Sequence, residues 1–587
     1  MSEARASLKD PSRPFTPAAM TRARLLWADD EPLQKRVEDE LGSVACELKG
    51  LTSSPRSALK ALETLRPWIE GSAFTAVERC RARADVVRSL ENGLAHGDAR
   101  VRVCVARDAL SLLKEDDTQC EIAACRAIYE AEPELLFELE VVPVVVAKIA
   151  EAAQRLREQR VARLALVYLG ATAQNLSAAT ATTFDRLGGL ACAVCDLLRS
   201  AVDSAEASEE RSELLTHLSA ALRNACPSQV RQLETARGAV ALAGALRAGL
   251  AEPRWPLVLN ASRALARLSS QPRFFEVHLG GPGAAAHDQL VRDAQDALAT
   301  AHAHLQTGIV VRLAFLLGNA TADDARARML VSVPRLVDLL ATSAERDDEE
   351  QVVIKLVRIV ANCAIEPTLG ARAARLRGVI AWLPRLVRRA AVGRREELLL
   401  NVVAAITNLS YYRSFFDDDQ ATCSHLVDAL LHPNHEIVCE AARAFGNLSR
   451  SAATRNIMRT VGADEALALL VAHHPSRNVV FAAVGSLVNL ATDDEYPPTV
   501  KTSSVLDDLV NVLRRAGIQD LGLAAVACKA IHNFLLLLRP TEGERDDDRL
   551  WASLDELVEA AQHLPAAADD FISAARALRE LRRRRRR

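Results

Sequence analysis

The stretch Glu440–Arg450, EAARAFGNLSR, decides the fold. It reads as an apolar helix punctuated by a single Asn447, and nearly the same phrase recurs along the chain. Asn489 stands in AAVGSLVNLAT, Asn408 in LLNVVAAITNLSYY and Asn362 in LVRIVANCAI. A buried asparagine is unfavourable unless its amide finds partners. Repeating it at one fixed position implies a reason.

Carried in both directions, the phrase gives a register. The matching positions are Glu130, Asn175, Asn224, Arg267, Asn319, Asn362, Asn408, Asn447, Asn489 and Asn533, spaced by 45, 49, 43, 52, 43, 46, 39, 42 and 44 residues. Helical repeats of the HEAT and armadillo kind run about 40–47 residues. The reading is an all-α solenoid of about ten repeats, its long interval taken up by a loop at Gly280–Ala286. Gly238, Gly378 and Gly462 each read as a short turn before an amphipathic helix, with a longer helix following.

Composition agrees. Of 587 residues 49% are apolar, 25% charged and only 4% aromatic, and alanine, leucine, valine and arginine dominate. This favours helices and a large buried core. A formal net charge of −3 argues against electrostatic nucleic-acid binding by the chain as a whole. No apolar run reaches the roughly 18 residues of a membrane span, and the N-terminus lacks an apolar signal segment. The expectation is a cytoplasmic protein with reduced thiols. Cys192 and Cys195 form a lone C-x-x-C inside LACAVCDLL and read as packed thiols.

Three segments follow. Residues 1–45 read as mostly extended, with a short helix near Thr21–Trp27; 46–540 hold the solenoid. Residues 541–587 hold an acidic loop, a capping helix near Trp551–Gln562 and the arginine run Arg582–Arg587, whose like charges predict disorder. The acidic runs Glu345–Glu350 and Phe416–Gln420 read as solvated loops. His432 and His435, and His473 and His474, flank prolines at helix breaks and read as inter-repeat turns, without the partners a metal site needs. No phosphate loop, nucleophile elbow, zinc-protease or calcium-loop motif is present. The expectation is no enzyme, no cofactor and no small-molecule substrate.

At the asparagine positions the chain resembles the armadillo repeat, whose third helix ends in a phrase such as ALSNL after a turn carrying a glycine. The resemblance implies a right-handed superhelix in which third helices line a groove. It also implies that Asn319, Asn362, Asn408, Asn447, Asn489 and Asn533 hydrogen-bond the backbone of an extended partner segment. An amide has both donor and acceptor, so it suits any sequence. The alternative is that each asparagine caps or bridges within its own repeat. The residue four earlier shares the helix face. Those positions are Arg126, Ala171, Ala220, Arg263, Phe315, Arg358, Ala404, Arg443, Gly485 and Lys529. Arg263, Arg358, Arg443 and Lys529 alternate with non-basic rungs, which predicts a groove suited to acidic extended segments; the alternative pairs these cations with acids of adjacent helices. No tryptophan occupies this position, so recognition of lysine-rich import signals is not expected.

Further phrases resemble an armadillo family linked to building motile cilia and sperm flagella: Glu3–Pro17, Thr407–Tyr412, Ala442–Arg450 and Leu521–Leu535. The resemblance implies a non-enzymatic adaptor in the cytoplasm and cilium that helps deliver or assemble axonemal complexes such as radial spokes. A structural axoneme subunit and a regulatory peptide-binding solenoid remain alternatives. Arg13, Pro14, Phe15, Thr16 and Pro17 lie outside the solenoid and read as a linear motif for a protein partner.

Overall fold

A computed structural model describes residues 93–112, 118–157, 162–179, 189–204, 208–225, 237–346, 349–412, 420–492, 502–537, 548–561 and 569–586. The N-terminal segment 1–45 with its motif, and the acidic residues 416–419 and 541–547, lie outside them. Every regular element among the described residues is an α-helix, in agreement with the sequence.

The chain divides into two compact units, 1–316 and 317–587. The first holds α1 (Ala99–Leu112), α2 (Thr118–Tyr129), α3 (Pro133–Glu138), α4 (Val142–Arg157), α5 (Arg163–Ala179), α6 (Leu190–Asp203), α7 (Glu209–Ala225), α8 (Gly238–Ala251), α9 (Trp255–Leu268), α10 (Phe274–Leu279) and α11 (Ala285–Ala303). The division falls within α12 (Thr307–Asp323). The second unit continues with α13 (Ala325–Leu330), α14 (Val333–Ala344), α15 (Glu350–Cys363), α16 (Pro367–Ala373), α17 (Arg377–Val392), α18 (Glu396–Ser410), α19 (Gln420–Leu430) and α20 (His435–Leu448). It closes with α21 (Ala452–Thr460), α22 (Ala463–His473), α23 (Arg477–Leu490), α24 (Thr502–Ala516), α25 (Leu521–Leu537), α26 (Asp548–Ala561) and α27 (Asp569–Arg586).

Each unit is a two-layer stack. In the second, the third helices α15, α18, α20, α23, α25 and α27 pack in succession, and behind them α14, α17, α19, α22, α24 and α26 do the same. In the first, α2, α5, α7 and α9 form one layer and α1, α4, α6, α8 and α11 the other. The phrase that set the register shows why. In α20, Ala441, Ala442, Ala444, Phe445 and Leu448 are all fully buried. Alanines let neighbouring helices approach closely, while Phe445 and Leu448 fill the space behind.

The turns follow their residues. Gly462 precedes α22 with φ +75°, a left-handed conformation that costs glycine little. Gly280, Gly281 and Gly283 also have positive φ, so the long interval does hold a glycine turn, between α10 and α11. The histidine turns carry a device of their own. His432 Nδ1 accepts from the Asn434 N–H at 3.0 Å, and His474 Nδ1 from the Ser476 N–H at 3.1 Å. His96 Nδ1 does the same for Asp98 at 3.0 Å. In each case the accepting imidazole sits just before a helix of the third-helix layer or, at α1, of the layer behind it. Cys195 is buried and Cys192 half-buried.

Two expectations are corrected. The run Glu345–Glu350 is not simply a solvated loop. Glu349 is buried and meets Arg346 at 2.8 Å, and Glu350 starts α15 and meets Arg395 at 2.5 Å. Acids at a helix N-terminus also suit the helix dipole. The arginine run is not disordered over 582–586, where it continues α27. Arg582 lies 4.4 Å over the Trp551 ring, and Arg583 and Arg584 reach Glu580 at 3.6 and 3.3 Å. Arginine is a good helix former, and cations favour a helix C-terminus; these effects outweigh the mutual repulsion. The expected capping helix is α26, but α27 packs on α25 as one third helix on the next, so the array runs past 540.

Candidate functional site

The recurring asparagines bridge neighbouring repeats. Asn362 Nδ2 donates to Gly318 O at 3.0 Å and Thr321 Oγ1 at 3.2 Å. Asn408 donates to Ala361 O at 2.9 Å, Asn447 to Thr407 O at 2.7 Å and Asn533 to Val488 O at 3.0 Å. Asn489 donates to Gly446 O at 2.8 Å and Ser449 Oγ at 3.2 Å. In every case the acceptor carbonyl belongs to the residue just before the preceding repeat's register position. Ala361, Thr407, Gly446 and Val488 lie within the last four residues of their helices. Such carbonyls have no intrahelical backbone donor. The asparagine of one repeat therefore caps the third helix of the repeat before it. Asn224 does likewise in the first unit, reaching Ser177 Oγ at 3.2 Å.

This bridging leaves the acceptor half of the amide. Among the described residues, Oδ1 of Asn408 and of Asn447 accepts no hydrogen bond, and both residues line a groove of about 1120 Å³ across α18, α20 and α23. Arg443 and the rung positions Ala404 and Gly485 share it, and a Cβ on Gly485 would meet nothing within 4 Å. Its walls carry Ile365, Tyr411, Tyr412, Glu440 and Phe481. The Cys439 thiol also lines it, with its pKa raised by burial and by Glu440, so it stays protonated.

The remaining predicted residues are dispersed. Asn362, Asn489, Lys529 and Asn533 do not line this groove, and Asn319 is half-buried on α12. The basic rungs of the second unit are largely matched. Arg443 meets Glu440 at 2.6 Å, one turn away, and Lys529 meets Asp570 on α27 at 2.8 Å. Arg358 contributes to the lowered pKa of Glu397, after the hydrogen bond from Lys355 that is its largest cause. Arg263, in the first unit, is exposed and pairs with no carboxylate among the described residues.

Sequence reasoning missed the apolar side of the site. Ile365, Tyr411 and Leu536 stand three residues after Asn362, Asn408 and Asn533, and they are 52%, 60% and 58% exposed. The register that located the asparagines points to these positions as well. Arg450 stands at the same position and places its guanidinium 5.1 Å from the Tyr411 ring.

Stacked third helices, a layer of second helices behind them and recurring amides that clamp one repeat to the last define an armadillo-type α-solenoid. Solved structures agree on the fold. One, from a study of the phosphorylation switch controlling the interaction between cadherin and beta-catenin, aligns with a TM-score of 0.62 at 14% identity, over 87% of this chain and 98% of that one. An engineered protein from the Northeast Structural Genomics Consortium aligns with a TM-score of 0.51 at 19% identity, over 73% of this chain and 98% of that one. Among curated proteins the chain is similar to armadillo repeat-containing protein 2. It is 33% identical to the Mus musculus protein over 251 residues and 32% identical to the Homo sapiens protein over 262. Each match covers 38% of this chain and 29% of the relative, so the chain aligns with under a third of those proteins' length. No protein-family model matches the chain. Among the described residues no helix is long and apolar enough to cross a membrane.

Proposed function

We propose that the chain is a non-enzymatic scaffold whose second-unit groove holds an extended segment of a protein partner, and that it acts as an adaptor in assembly of the motile cilium or flagellum. The observation that carries the first part is the groove itself. Asn408 and Asn447 offer acceptors to a partner's backbone N–H groups, and Tyr411, Tyr412 and Phe481 offer apolar walls. A segment held this way gains main-chain hydrogen bonds with little dependence on its sequence, and side-chain selectivity from the walls. The second part rests on the similarity to armadillo repeat-containing protein 2. On this reading the chain acts in the cytoplasm and the cilium, assisting axonemal complexes such as radial spokes. The Arg13–Pro17 segment serves as a second, linear contact to the same machinery.

The test is genetic and biochemical together. Ciliated cells lacking the chain are expected to build short or immotile cilia, and the wild-type chain to restore them. In detergent fractionation an adaptor leaves with the soluble material. Retention with the axoneme identifies a structural subunit instead, and normal motile cilia without the chain overturn the reading.

A further inference from the structure

We propose that Arg223, Arg263 and Arg267 form an oxyanion-binding site on the third-helix layer of the first unit, and that it takes the carboxylates of an acidic protein segment. The proposal rests on the scaffold reading above and adds to it a second docking place of different chemistry. Arg223 stands at the end of α7, and Asn260, Arg263 and Arg267 stand on α9, which packs against it.

Arg223 is held rigidly, but only by neutral groups. Its Nη1 donates to Asn260 Oδ1 at 2.8 Å, while Nε and Nη2 share Asn224 Oδ1 at 3.3 and 3.1 Å. A guanidinium has five N–H donors. Three are used, which leaves one on each terminal nitrogen for an anion. Burial lowers the Arg223 pKa, and the nearby positive charge of Arg263 lowers it further. Arg263 and Arg267 lie one turn apart on one helix face, both exposed. Among the described residues none of the three pairs with a carboxylate.

That combination differs from the second unit. There Lys355 meets Glu397, Arg443 meets Glu440 and Lys529 meets Asp570. Several third-helix cations of the second unit carry a carboxylate, whereas these three stand together without one, and asparagines that add no charge fix Arg223. Gathering like charges without counter-charge is unfavourable, and an incoming anion relieves it. A site of three arginines suits a short acidic stretch. Nucleic acid would need a longer basic track, and the whole chain carries a net charge of −3.

The test uses the full chain and a fluorescein-labelled peptide of alternating glutamate and serine, read by anisotropy at low salt. Saturable binding is expected, weakening as salt rises. The double variant Arg263→Glu, Arg267→Glu should bind about tenfold or more weakly, since each reversal replaces attraction with repulsion. Both side chains are exposed, so its melting temperature should match the wild type. Arg223→Lys keeps the charge but loses the planar fork, and should weaken binding while the melt holds. Arg388→Glu, an exposed reversal on α17 in the back layer of the other unit, should change little. Absence of peptide binding, or equal binding by the double variant, overturns the site. Equal competition by a single-stranded oligonucleotide of matched charge overturns the protein-segment assignment, and equal competition by inorganic phosphate makes it a general anion site. If peptide binding behaves as expected but cilia form normally without the chain, the ciliary reading fails and this site stands.

Discussion

The Asn408 amide donates to the Ala361 carbonyl at 2.9 Å, and no other donor among the described residues reaches that carbonyl. The Thr407 carbonyl is better served. It accepts from Asn447 at 2.7 Å and also from the Ser410 hydroxyl at 3.1 Å. The two asparagines occupy the same register position, yet their removal should have different consequences. Asn408→Ala leaves a buried carbonyl without a partner and should destabilise by about 1–3 kcal/mol. Asn447→Ala leaves the serine hydroxyl in place and should cost about 0.5–1.5 kcal/mol, the worth of one hydrogen bond. Chemical denaturation of both variants checks the order. Equal effects, or none, would show that inter-repeat capping does not hold the stack.

Gly370 tests how the groove wall is set. A Cβ there would fall 2.2 Å from Tyr412 Cε2 and 2.5 Å from the Ala364 carbonyl oxygen. Tyr412 lines the groove, so α16 and the wall are packed too tightly for any side chain. Gly370→Ala should destabilise by about 1–3 kcal/mol, as overpacking does. Adding Tyr412→Ala removes the ring clash but not the carbonyl clash, so the double variant should recover only part of the loss. Full recovery would mean that the backbone yields freely at this point.

The His474 cap makes stability depend on pH. His474 Nδ1 must be unprotonated to accept from Ser476. Burial lowers the His474 pKa, and His435, whose ring lies 4.9 Å away, lowers it further. A base with a depressed folded pKa contributes stability that is complete above its unfolded value, near 6.5, and that falls as pH drops below it. The wild type should therefore lose stability between pH 7 and pH 5. His474→Asn places an amide oxygen where Nδ1 stood and keeps the cap without titrating. Its melting temperature should vary less over the same interval, by an amount matching one hydrogen bond, about 0.5–1.5 kcal/mol. An identical pH profile in the variant would rule the cap out as the source.

Much of this was legible because one physical requirement repeats. A third helix ends in carbonyls that need donors, an amide from the next repeat supplies one, and the spacing of Asn362, Asn408, Asn447, Asn489 and Asn533 exposes the whole stack. The first unit was harder to read because Glu130 and Arg267 stand where asparagine is expected. Glu130 is held by Arg126 at 2.7 Å, while Arg267 serves no such bridge. The partners of the basic rungs were not legible. Asp570, which neutralises Lys529, lies 41 residues away on a helix that sequence reading placed beyond the solenoid. The arginine run misled for a related reason. Repulsion between like charges is visible in a sequence, whereas the Trp551 ring beneath Arg582 and the helix end that welcomes cations are set by tertiary structure.

The apolar row beside the asparagines gives the most direct test of the groove. Ile365, Tyr411 and Leu536 are more than half exposed, and each follows its asparagine by three residues. Exposed apolar side chains of this kind contribute little to folding, because most of their surface stays in water in both states. In a complex the same surfaces would be covered, and aromatic residues such as tyrosine dominate the energetics of protein interfaces. The groove holds Ile365 and Tyr411, while Leu536 lies outside its lining on α25 and serves as the internal control. Tyr411→Ser combined with Ile365→Ser should leave stability within about 0.5 kcal/mol of wild type, as surface substitutions usually do. It should nevertheless abolish rescue of ciliary motility in cells lacking the chain. Leu536→Ser alone should rescue normally. If the double variant melts early, the row is structural and the groove reading loses its apolar wall. If it is stable and rescues fully, the partner is held elsewhere, and the asparagines serve only to clamp one repeat to the next.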